Sequence, residues 1–310
     1  MPGHAPCSGY RARPRTLPPV QERTIGLWMT LVAAVLFAVS AVAAADVFES
    51  VAPARVAQFR SMFAAIVLMA VAARRGMLGV GEHWWMTALM GANLAAVTVT
   101  FYWAIDRLGV GPGTTIQFAA PVLVMVWMRV VGKRHVPPLA WMAGVAAVGG
   151  TALMARAWEA DVDVIGLAAA VGAALTFGTY LLLGERLGGR LPSTTTVAYG
   201  FLFSALIWLV AVPPQVSDLD GGEWAKLAFI GLAGTALPFL LEMSALRRAD
   251  PGSVGVVATA EPVVSAACAW VWLGQNLSPS QVLGGALTAA AVASIHLVTA
   301  RRPTLPVPPA

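Results

Sequence analysis

Ten apolar stretches, each close to the length of a bilayer-crossing helix, dominate this chain. A helix needs about 20 mostly apolar residues to cross the hydrocarbon core. Breaking the sequence at charges, prolines and glycines gives runs near 26–45, 56–73, 84–105, 110–131, 139–155, 164–183, 196–212, 224–246, 253–274 and 280–300. The composition agrees: 58% of the 310 residues are hydrophobic, 11% are charged, and the mean hydropathy is +0.74. An ordinary soluble domain is about 25% charged, so there is too little charge here for a polar shell. A soluble globular enzyme, a disordered chain and a nucleic-acid binder are thereby excluded. The expected fold is an all-α integral membrane protein of ten transmembrane helices.

The placement of charge gives the topology. With the N-terminus inside and the spans alternating, 15 of the 20 basic residues fall on the inner side, among them Arg11, Arg74, Lys133, Arg186, Arg247 and Arg301. Outer loops hold most of the acids, including Asp106, Asp161, Asp218 and Glu223. This asymmetry is the positive-inside pattern. It predicts a multi-pass protein of the cell (plasma) membrane with both termini cytoplasmic, and it explains a pI near 9.8 without any nucleic-acid partner. The ends, residues 1–25 and 301–310, read as solvated cytoplasmic tails. Cys7 and Cys268 imply no disulfide framework.

The chain repeats itself. At an offset of 141, Ala104 falls on Ala245, Arg107 on Arg248, Gly111 on Gly252, Pro121 on Pro262 and Pro138 on Pro279. At an offset of 140, Gly26 meets Gly166, Phe37 meets Phe177 and Phe63 meets Phe203. The Pro and Gly coincidences carry the weight, because those residues mark backbone events. Each half then has five spans. Five is odd, so the second half enters the membrane upside down, which is the architecture of secondary transporters with a midplane site. Matching Gly/Pro-interrupted spans point to such a site. Pro121 in span four and Pro262 in span nine each lie about ten residues into their helix, about 15 Å deep. Each removes the bond to the residue four earlier, Gln117 and Ala258.

Polar groups inside the spans are the candidate site. Glu261 sits at mid-bilayer beside Pro262, where an ionised carboxylate costs about 2.5–3.5 kcal/mol on insertion scales. It is expected to face a cavity or a fixed partner such as Arg60, and it shares a helical face with Ser265, Cys268 and Trp272. Arg60 either snorkels to the outer interface or points inward as a carboxylate anchor. Glu242 lies near Arg247 and Arg248, where a structural ion pair is expected. Asn93, Thr100 and Ala104 share one face of span three, close to Tyr102 and Trp103, and Gln117 is one turn before Pro121. Trp84, Trp85, Trp141 and Trp224 read as interfacial belt residues. None of His4, His83, His135 and His296 stands at metal-ligand spacing, so no metal or cofactor is implied, and no catalytic constellation is present. Gly144, Gly149, Gly150, Gly284, Gly285 and Thr288 offer small faces for close helix packing, either within the protomer or in a homodimer.

Ten spans in two halves, with glutamate–proline in span nine, resemble the EamA-type branch of the drug/metabolite transporter superfamily. The segments Gly234–Leu246 (GTALPFLLEMSAL), Ala260–Val264 (AEPVV), Trp272–Gln275, Phe101–Ile105 and Gln117–Pro121 resemble the bacterial threonine/homoserine exporters within it. On that resemblance, 26–156 and 164–300 are the two five-helix repeats. A cavity lined by spans three, four, eight and nine would hold Tyr102, Gln117, Pro121, Pro238, Glu242, Glu261 and Pro262, with Arg60. The exporters carry glutamate where this chain has Gln117. A neutral amide cannot titrate, so any coupling carboxylate is Glu261 or Glu242, or else the substrate charge differs.

The resemblance implies a proton-driven exporter of small amino acids or related metabolites, with substrate, protons and lipid as its partners. Two other readings stand beside it. One is efflux of drugs or hydrophobic cations, served by Glu261 with Trp103 and Trp270. The other is an integral membrane protein without transport, which would need a constellation at a membrane face that the sequence does not show.

Overall fold

The computed structural model describes residues 19–301 apart from 49, 109, 157, 159–162, 214–218 and 274–275. Most of both expected tails, and Gln275, lie outside the described residues. The described chain is helical: α1 (Val20–Val47), α2 (Pro53–Arg74), α3 (Trp84–Leu108), α4 (Val110–Gln117), α5 (Ala120–Val130), α6 (Pro138–Ala155) and α7 (Val164–Gly188) come first. Then follow α8 (Ser193–Ala211), α9 (Gly221–Gly231), α10 (Leu237–Leu246), α11 (Pro251–Ala258), α12 (Ala260–Leu273) and α13 (Pro279–Arg301). Helix starts obey local chemistry. Prolines stand in the first turn of α2, α6 and α11, where the missing N–H is one the helix leaves unpaired anyway. Asp163 and Asp220 cap α7 and α9 through their side chains, the latter in a reciprocal box with Glu223.

Nine described segments are individually long and apolar enough to cross a bilayer. The remaining span, span nine, is α11 with α12, divided by a turn at Thr259. Span four is divided in the same place, between α4 and α5. The outer surface is apolar: Val210 is 89% exposed and Val164 75%. Helices hydrophobic on all sides, with such residues facing outward, belong in lipid.

The two halves interlock rather than sit side by side. α1 packs on α10, α11 and α12 of the second half, and α7, its counterpart, packs on α3, α4 and α5 of the first. α2 meets α8, and α6 meets α13, each pair being one helix and its own repeat. This pattern maps onto itself when the halves are exchanged, as two inverted five-helix repeats require. Individual contacts obey the same exchange. A Cβ on Gly91 would lie 2.5 Å from the Cβ of Phe203, and one on Gly231 2.5 Å from that of Phe63. Gly26 closes on Arg248 and Gly166 on Arg107. Arg248 pairs with Glu22 at 3.0 Å, and Arg107 with Asp163 at 3.3 Å.

One departure from symmetry has a local cause. Gly91 matches Gly231 at an offset of 140, but Ala104 matches Ala245 at 141. Between them, residues Leu232–Ala236 form a π-helical turn in span eight. A π-bulge absorbs one inserted residue, so both flanks keep the packing of span three. Ala104 and Ala245 are equally inaccessible at 0%. The Thr235 hydroxyl donates to the carbonyl of Ile230 inside this wider turn.

Candidate functional site

The broken spans border a partly open cavity of about 770 Å³. Prolines 121 and 262 stand next to the interruptions, as helix-breaking chemistry dictates. At the first, Ala119 N–H donates to Ile116; at the second, Thr259 N–H and hydroxyl both donate to Val256. Pro121 is buried and presses on Gly255, whose Cβ would lie 3.0 Å from its ring. Pro262 lines the cavity. Pro238 is buried in the first turn of α10, directly after the π-turn.

Three charged side chains line the cavity: Arg60 from α2, Glu242 from α10 and Glu261 from α12. Arg60 points inward. It makes no ion pair with Glu261 among the described residues, though its field and that of Glu242 both reach the Glu261 carboxylate. Tyr102, Gln117 and Ser265 face the same space. The walls are otherwise aromatic. Phe239 receives Phe37, Phe201 and Tyr180 edge-on, at centroid distances of 5.0, 5.0 and 5.6 Å. Among the described residues every span except the tenth contributes to the lining, with α1 adding the most beyond spans three, four, eight and nine.

The charges break the symmetry of their scaffold. In register, Glu242 matches Phe101, Glu261 matches Ala120, Gln117 matches Ala258 and Arg60 matches Gly200. Both acids come from the second half and the cation from the first. A duplicated frame thus carries a polar set that is not duplicated.

Several sequence expectations need correcting. Asn93 does not line the cavity; its amide donates to the carbonyl of Thr176 at 3.0 Å and fastens α3 to α7. Thr100 and Ala104 on that face also meet α7. Glu242 forms no ion pair with its arginine neighbours: Arg248 takes Glu22, Arg247 donates to the carbonyl of Leu191, and Glu242 is 2% exposed on the cavity wall. Trp103 and Trp270 are 62% and 57% exposed and lie outside the cavity. Cys268 is outside it too, and the side chain of Trp272 lies outside the described residues. Trp224 packs edge-on against Phe59 at 5.0 Å. Gly150 of span five and Gly284 and Thr288 of span ten close on one another within the protomer, whereas Gly144 meets Met125 of span four.

Sequence reasoning missed Tyr180, Ser40 and Phe239, all on the cavity wall. Tyr180 had a usable signal: a phenol deep in an otherwise apolar span needs a polar destination. Phe37 and Phe177, repeat partners in sequence, both line the cavity.

The role of Asn93 is testable. Asn93→Ala is expected to cost about 1 kcal/mol of stability through one lost hydrogen bond, seen as a lower melting temperature of the purified protein. Ligand-induced stabilisation should keep its wild-type size. A selective loss of that stabilisation would return Asn93 to the binding site.

Comparison with known proteins gives a consistent picture. The family model described as EamA-like transporter family matches residues 24–156 and again 164–297. The threonine/homoserine exporter RhtA of Escherichia coli (strain K12) is 30% identical over 213 residues, covering 66% of this chain and 68% of that protein. RhtA of Salmonella typhimurium (strain LT2) is 29% identical, covering 69% and 72%. The uncharacterized transporter YwfM of Bacillus subtilis (strain 168) is 26% identical, covering 77% and 82%. A crystal structure aligns with a TM-score of 0.76 over 89% of this chain and 98% of that one, at 19% identity, which shows the fold alone.

Proposed function

Because the chain belongs to the EamA-like transporter family, we propose that this membrane transporter is a proton-coupled exporter of small amino acids, threonine- or homoserine-like, or of related polar metabolites. It works by alternating access in the plasma membrane, with both termini cytoplasmic. The observation that carries this reading is the cavity between the two repeats, whose wall carries both Glu261 and Arg60. A zwitterion needs one cation for its carboxylate and one anion for its ammonium. Arg60 offers a planar fork suited to a carboxylate, and Glu261 meets the ammonium. Glu261 accepts a proton in the outward-facing state and yields it inside, where the ammonium replaces it. Proton and substrate thereby share one carboxylate and exchange. Gln117, Tyr102 and Ser265 supply neutral hydrogen-bonding groups, and the wall around Phe239 takes the apolar part of the substrate.

Efflux of hydrophobic cations is the rival reading. The aromatic wall favours it, and the guanidinium of Arg60 in the same cavity disfavours it. Inverted membrane vesicles with an acidified interior separate the two. They are expected to accumulate labelled threonine or homoserine only while the pH gradient lasts, with unlabelled amino acid competing and a lipophilic cation not. Accumulation indifferent to the gradient would remove proton coupling. Competition by the lipophilic cation alone would replace the substrate class.

A further inference from the structure

The cavity reaches one face of the membrane and stops short of the other. At the outer face, where α1 ends and α2 begins, its lining runs out to Phe48, Val56, Ile105 and Ala155. The inner face is the one where α1 begins. The lining residues nearest to it on α1, α3, α7 and α8 are Thr30, Leu94, Tyr180 and Phe201, each about 12–15 Å inside the end of its helix. The floor below them is packed shut: Leu181, Leu187, Met243, Leu246 and Val254 are at most 2% exposed.

Charged ties between the two halves differ in their symmetry. Glu22–Arg248 sits at the inner face and its counterpart Asp163–Arg107 at the outer, and both are formed while the cavity reaches one face only. Neither follows the opening, so both suit pivots. Arg134–Glu185 is different. The Nη1 group of Arg134, in the loop between α5 and α6, donates to both carboxylate oxygens of Glu185 on α7, at 2.8 and 3.0 Å. The two side chains are 37% and 13% exposed, so salt screens this pair less than one on the open surface. It has no copy at the outer face. In repeat register Arg134 falls on Gln275 and Glu185 on Ala45, neither of them charged. Ala44, next to Ala45 in the chain, lines the open cavity.

We infer that the Arg134–Glu185 pair is a latch on the inner face, which must part before the cavity can open inward. The inference rests on the alternating-access reading proposed above. A contact made in only one of two states shifts the population toward that state. With no matching pair outside, the latch favours the outward-facing form. The repeat also locates the inward cavity: exchanging the conformations of the halves carries Ile105, on the open wall, to Leu246 in the packed floor.

Single-cysteine reporters, placed in a full chain whose Cys7 and Cys268 are replaced by serine, read the two faces in membrane vesicles. A membrane-impermeant maleimide should label Ile105→Cys from the outer side and leave Leu246→Cys protected from the inner side. Adding Glu185→Gln or Arg134→Gln should speed inner-side labelling of Leu246→Cys roughly fivefold. Ile105→Cys should stay labelled from the outer side alone, as a folded and inserted chain requires. The reversed pair, Arg134→Glu with Glu185→Arg, should restore the original protection, which a merely structural loss would not allow. Unchanged labelling in the single variants, or a reversed pair that labels as fast as they do, would overturn the latch. If the single variants fail to insert, a cross-link decides. Arg134→Cys with Glu185→Cys, joined by a bifunctional maleimide, should stop threonine transport and keep threonine binding from the outer side. Transport that survives the cross-link would equally overturn the latch. Labelling that changes as expected in a chain that binds no threonine would keep the latch and remove the amino-acid reading.

Discussion

Glu261→Gln is expected to abolish pH-gradient-driven uptake of threonine into inverted vesicles while leaving the protein folded and inserted. Glutamine preserves the size and most of the hydrogen-bonding capacity of the side chain. It removes the charge and the exchangeable proton. Truncating one partner of a buried charged pair costs about 2–5 kcal/mol, so substrate affinity should fall roughly 30-fold to a few thousand-fold. Uptake should also stop responding to the imposed gradient, which a mere loss of affinity would not cause. Raising the threonine concentration separates the two effects: it recovers binding but not gradient dependence. Wild-type gradient-driven transport in Glu261→Gln would remove this residue from the coupling mechanism.

The second large effect concerns the contact between α6 and α13. A Cβ on Gly284 would lie 2.5 Å from the carbonyl oxygen of Gly150 and 2.7 Å from the backbone nitrogen of Met154. One on Gly150 would lie 2.7 Å from the carbonyl oxygen of Gly284. These are backbone atoms, which cannot swing aside, so the two helices would have to part. Helices in lipid are held by close van der Waals packing with little hydrophobic driving force between them. Gly284→Ala is therefore expected to destabilise by about 1–3 kcal/mol or more, and Gly284→Leu to prevent assembly of the fold. Gly149 is the control, because its Cβ would meet nothing nearer than 4.0 Å. Thermal unfolding in detergent should show Gly149→Ala close to wild type and Gly284→Ala well below it. Equal melting temperatures would show that the two spans do not touch at this point.

The repeat was legible at residues where the backbone does something unusual. Pro121 and Pro262, Gly26 and Gly166, and Phe63 and Phe203 were matched by sequence; the two prolines stand beside matching helix breaks, and the glycine and phenylalanine contacts match as well. The one-residue change of offset was also visible in the sequence, but its meaning was not. Only the π-turn at Leu232–Ala236 shows where the extra residue sits. Of the site, Glu261, Arg60, Tyr102, Gln117 and Ser265 were found through polarity alone, because a polar side chain in a span must have somewhere to go. The same rule fails for Asn93, whose destination is a backbone carbonyl in the neighbouring helix. It also misdirected Glu242, since arginines one turn away in sequence look like partners until the fold gives them others.

The sequence by itself determined the number of spans, the two-fold repetition and the membrane setting. Lipid imposes length and apolarity on every crossing segment, and both are local properties of the chain. Which face of each helix turns inward was decided only by the tertiary structure. In water an amphipathic stripe would have announced it. Here lipid and protein interior are both apolar, so a helix such as α7 carries no stripe, and only the packing of the fold turns Tyr180 toward the cavity.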